Sequence, residues 1–91
     1  MEDSPWSDFG QWLQRTRRRQ GLSQERLAEL MGCTQNYIWR LEKGKRHPSK
    51  AFLRLLRHEM PLTPAEAARL DEFIQMVQYQ CDGFERERER E

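Results

Sequence analysis

With 91 residues, 34% charged and 36% apolar, the chain is one small domain with the composition of a helical bundle, and disorder throughout is excluded. Its net charge of +1 hides a division, because residues 1–10 carry −3, residues 11–57 carry +9 and residues 58–91 carry −5. The basic centre is the footprint of a surface that meets phosphate. Cys33 and Cys81 stand far apart with no CxxC or Cys/His cluster at ligand spacing, so neither a disulfide framework nor a metal site is expected, and both read as small buried hydrophobes. Met1 is followed by acids rather than by a basic region and an apolar run, and no stretch reaches the length of a membrane span, so the expected compartment is the cytoplasm, at the nucleoid.

Residues 1–5 read as a loose acidic arm. A first helix opens at Ser4 and Pro5, or alternatively at Ser7 and Asp8, with Phe9, Trp12 and Leu13 as its apolar stripe and Thr16 below them. Arg15, Arg17, Arg18 and Arg19 crowd its last turns, where cations suit the helix dipole, and they make a basic corner before Gly21. Ser23 caps a second helix, with Glu25 in its first turn and Leu27, Ala28, Leu30 and Met31 following. Gly32 stops it and Thr34 caps a third helix, which leaves a three-residue turn. The third helix buries Ile38 and Leu41 on one face and ends at Gly44, so that Gln35, Asn36, Tyr37 and Arg40 are left for solvent or a partner.

Lys45, Arg46, His47, Pro48 and Ser49 then form a loop that bars continuation and opens a short fourth helix whose apolar residues are Ala51, Phe52, Leu55 and Leu56. Pro61 breaks the chain again. Thr63, Pro64 and Glu66 supply a cap, a first-turn proline and a capping-box acid, and Leu70, Phe73, Ile74, Val77 and Cys81 carry the fifth helix to about Cys81, with Gly83 as its stop. Glu85 to Glu91 alternates Glu and Arg with no apolar face and reads as a disordered tail. The expected divisions are an arm (1–5), a head of four helices (6–57), the fifth helix (58–82) and the tail (83–91).

The segment from Gly21 to Gly44, GLSQERLAELMGCTQNYIWRLEKG, resembles the helix-turn-helix of the Cro/lambda-repressor type, also called the XRE family. The marks are GLSQERLA, the MG turn, TQNYIWRLEKGKR and the following HPS, and the resemblance runs from about Phe9 to Leu56. It implies an all-α, five-helix lambda-repressor-like domain in which helices 2 and 3 form the motif. The implied partner is double-stranded DNA, read in the major groove by helix 3.

Gln24 and Gln35 stand at the starts of helices 2 and 3, where amides and helix N–H groups meet phosphates or base edges, and the resemblance implies that Gln24 bonds phosphate and braces Gln35, which reads a base. Asn36 and Arg40 match positions that face the groove in the family, and their chemistry suits adenine and guanine. Tyr37 joins them as a contact to a thymine methyl or a sugar. Trp39 departs from the small or polar residue common at its position, and its size favours packing over a groove-edge contact. Arg18, Arg19, Lys43, Lys45, Arg46 and Lys50 are the expected phosphate clamps, with His47 beside them.

The resemblance also implies that Arg17 pairs with Glu42, whose charge near the end of helix 3 opposes the dipole. Leu70, Phe73, Ile74 and Val77 are the expected interface of a homodimer, as family members commonly pair through helices after the head. His58 has no Ser, Cys or carboxylate constellation beside it, so no active site, cofactor or metal is expected. The expected function is a DNA-binding transcriptional regulator, a repressor first. The alternative is an antitoxin-type module that binds a partner protein and autoregulates through the same motif.

Overall fold

The computed structural model describes residues 5–80, and there it is all-α: α1 (Pro5–Arg19), α2 (Gln24–Met31), α3 (Gln35–Glu42), α4 (Lys50–Glu59) and α5 (Pro64–Gln80). The first four residues of the expected arm, Cys81, Gly83 and the charged tail lie outside the described residues. The chain divides into two compact units between Pro48 and Ser49. The first unit holds α1 to α3 and the second holds α4 and α5.

Short polar side chains start the helices by satisfying orphan N–H groups. Ser23 Oγ accepts from the Arg26 amide at 3.0 Å, Thr34 Oγ1 from Tyr37 at 3.1 Å, and Ser49 Oγ from Phe52 at 3.0 Å. At α5 the capping box is reciprocal: Thr63 Oγ1 accepts from the Glu66 amide at 3.2 Å while Glu66 Oε1 accepts from the Thr63 amide at 3.0 Å. The helices of the first unit also stop alike. Gly32 takes a left-handed φ of 71°, which a Cβ would strain, and its turn bonds the Cys33 amide back to the Ala28 carbonyl at 3.0 Å. The same six-to-one closure joins Leu22 to Arg17 at the end of α1 (3.1 Å) and Lys45 to Arg40 at the end of α3 (3.0 Å).

In the first unit α3 packs on both α1 and α2. Trp6, Phe9, Trp12 and Leu13 from α1, Leu27, Ala28 and Met31 from α2, and Ile38 and Leu41 from α3 are all buried. Phe9 stacks on Trp12 with ring centroids 5.9 Å apart and meets Trp6 edge-on at 6.4 Å. Gly10 lies where α1 crosses the end of α3 so closely that a Cβ there would stand 2.6 Å from the carbonyl oxygens of both Leu41 and Glu42.

In the second unit α4 packs on α5, with Phe52, Leu53, Leu56, Met60, Leu70, Phe73 and Val77 buried, and Arg57 of α4 bonds Asp71 of α5 at 3.0 Å. These include three of the four residues expected at a dimer interface. Leu70, Phe73 and Val77 are at most 1% exposed within the single chain, because a pair of short helices needs them for its own core. Ile74, half-buried, is the one member that keeps accessible surface.

Candidate nucleic-acid interface

The eight residues of α3 separate by helical angle. Ile38, Leu41 and Glu42 are buried, whereas Asn36, Trp39 and Arg40 are exposed away from them and Gln35 is exposed in the first turn, two turns before Glu42; exposed Lys43 follows. Tyr37 lies at the margin, half-buried, with the Arg46 guanidinium 5.3 Å from its ring centre. Lys45 and Arg46 are exposed just beyond the Gly44 turn, and Arg18 and Arg19 are exposed at the end of α1. Lys50, at the start of α4, belongs to the second unit.

Behind this face, buried charge leads outward to a surface amide. Arg17 and Glu42 come together, with Nε donating to Oε2 at 2.6 Å and Nη2 to Oε1 at 3.1 Å, and the side chains are 8% and 1% exposed. Arg17 Nη1 also donates to the Leu22 carbonyl at 2.8 Å, tying down the link between α1 and α2. Glu42 Oε1 in turn accepts from Gln24 Nε2 at 2.9 Å. The Gln24 oxygen is thereby turned away from Glu42, and it accepts from Gln35 Nε2 in a long contact of 3.5 Å. A carboxylate only accepts, so it dictates the polarity of each amide in this chain of bonds.

Trp39 overturns the expectation from its size. It is 39% exposed, with the Lys43 ammonium 6.0 Å from its ring centre, and it lines a shallow surface groove with Gln24, Gln35 and Asn36. Its helical angle sets it one turn from Gln35, away from the inward positions. Cys33 is half-buried rather than buried, and desolvation pushes its thiol pKa above the ordinary value. Among the described residues no group of three or more His, Cys, Asp or Glu is gathered to hold a metal, and no helix is long and apolar enough to cross a membrane.

Three features escaped the sequence reading: the Gln24–Glu42 bond, the Arg17–Leu22 bond and the Gly10 crossing. Gly10 alone left a sequence signal, since a glycine inside a helix costs about 1 kcal/mol against alanine and calls for a packing reason. A family model for a helix-turn-helix domain matches residues 8–56, more than half of the chain. The chain matches no curated protein.

Proposed function

The chain belongs to the helix-turn-helix family of the Cro/lambda-repressor kind, whose domains are DNA-binding regulators, and we propose that it is a sequence-specific repressor that sets α3 into the major groove as a two-fold dimer. The observation that carries this reading is the run of bonds from Arg17 through Glu42 and Gln24 to Gln35. An exposed amide held on a buried ion pair is preorganised for base edges, where a freely rotating one would lose side-chain entropy on binding.

Gln35, Asn36 and Arg40 read bases, with Tyr37 at the groove margin. Arg18, Arg19, Gln24, Lys43, Lys45, Arg46 and Lys50 take phosphates, supplying affinity through counterion release. Repression follows from occupancy alone, by excluding other proteins from the site, and the protein works at the nucleoid without catalysis. A dimer sets two copies of α3 into successive major-groove turns, so its site is an inverted repeat with half-sites about one helical turn apart.

Selection of bound duplexes from random DNA tests the reading. An inverted repeat is expected, together with binding that falls steeply as salt rises. Enrichment of no sequence over several rounds would overturn it.

A further inference from the structure

We infer that Trp39 is a specificity-determining residue, which reads the C5-methyl group of a thymine beside the base read by Gln35. The inference rests on α3 being the reading helix, and it starts from an indole in an unusual place. Trp6 and Trp12 are 8% and 6% exposed, yet Trp39, on the same small unit, is 39% exposed. Indole is a large apolar group that ordinarily finds burial, and its exposure on the outward side of α3 leaves that burial to be completed by a partner.

The groove it lines is otherwise polar, formed with Gln24, Gln35 and Asn36. The floor of the DNA major groove offers donors, acceptors and one apolar group, the thymine methyl. Amide side chains take the first two kinds, and only Trp39 in this groove suits the third. The Lys43 ammonium stands over the indole, 6.0 Å from the ring centre, which suits a ring at the groove wall beside an amine that meets the neighbouring phosphate. Trp39 follows Gln35 by four residues, roughly 6 Å along the helix axis at 1.5 Å per residue. Bases along one strand rise by about 3.4 Å, so the methyl lies one or two base pairs from the base that Gln35 reads.

The test uses the duplex recovered by selection, with each thymine replaced singly by deoxyuridine, a change that removes only the methyl. Wild-type protein is expected to lose about fourfold in affinity at one position per half-site, the weight of one buried methyl group. Trp39→Ala should bind the thymine and uracil duplexes equally, and Trp39→Phe should keep part of the difference. Because Trp39 lies outside the buried core, both variants should keep the helical circular dichroism of wild type. A wild type that selects a sequence but ignores every single deoxyuridine overturns this inference and leaves the repressor reading standing, and so does a Trp39→Ala variant as sensitive to the lost methyl as wild type. A wild type without sequence preference removes the reading beneath it.

Discussion

The Glu42 carboxylate at the C-terminal end of α3 is gripped by the Arg17 guanidinium of α1 through two nitrogens, at 2.6 and 3.1 Å. A negative charge at that end opposes the helix dipole, and both side chains are nearly sealed from water. Removing either partner leaves a buried charge uncompensated. Arg17→Ala and Glu42→Ala should therefore each lower unfolding free energy by about 3 kcal/mol, while the double variant loses much less than their sum. Urea unfolding of the four proteins measures the coupling, and additive losses would contradict a working pair.

Gly10→Ala should destabilise the first unit although alanine is the better helix former by about 1 kcal/mol. The added Cβ meets two backbone carbonyl oxygens at 2.6 Å, and backbone at a helix end cannot rotate aside as a side chain can. A net loss of about 2 kcal/mol is expected from overpacking, read as a lower melting temperature. Unchanged or raised stability would mean that α1 and α3 cross less closely than described.

The surface of α5 divides by exposure. Phe73→Glu places a charge at a position 1% exposed and should unfold the second unit, at a cost of about 3 to 5 kcal/mol, even with the Arg69 guanidinium 4.6 Å from the ring centre. Ile74→Glu, at a half-buried position, should leave the fold intact and weaken the proposed dimer. Sedimentation at several concentrations distinguishes the two. A wild type monomeric at every concentration, with and without its DNA site, would remove the dimer.

Readers and clamps should fail differently. Gln35→Ala and Arg40→Ala are each expected to lose about 1 to 3 kcal/mol on the preferred site and little on unrelated DNA. Lys45→Ala should weaken binding to all duplexes and flatten the dependence of log affinity on log salt by roughly one unit. Arg46→Ala should do the same and in addition release the Tyr37 ring that its guanidinium covers. Titrations at several salt concentrations separate these patterns, and equal losses on specific and random DNA for Arg40→Ala would rule out α3 as the reader.

What was legible in the sequence is what short-range chemistry determines. Ser23, Thr34, Ser49 and the Thr63/Glu66 pair announce helix starts because each bonds an amide three residues away. Tertiary context decided the rest. The size of Trp39 favours burial, but its place on α3, away from Ile38 and Leu41, leaves it exposed. For the α5 stripe, periodicity shows that a face is apolar without showing what covers it. The bond from Gln24 to Glu42 spans 18 residues, beyond any local pattern.

The three matching glycine closures of α1, α2 and α3 have a consequence for how such a protein diversifies. Each stop is written in main-chain bonds, and the caps at Ser23 and Thr34 start helices through side chains that lie outside the reading face. Replacing Asn36, Trp39 or Arg40 therefore alters neither where α3 begins nor where it ends. Under the proposed reading, the recognised address can drift under mutation while the frame that holds it stays in register, so new operators are reachable by single steps through folded intermediates.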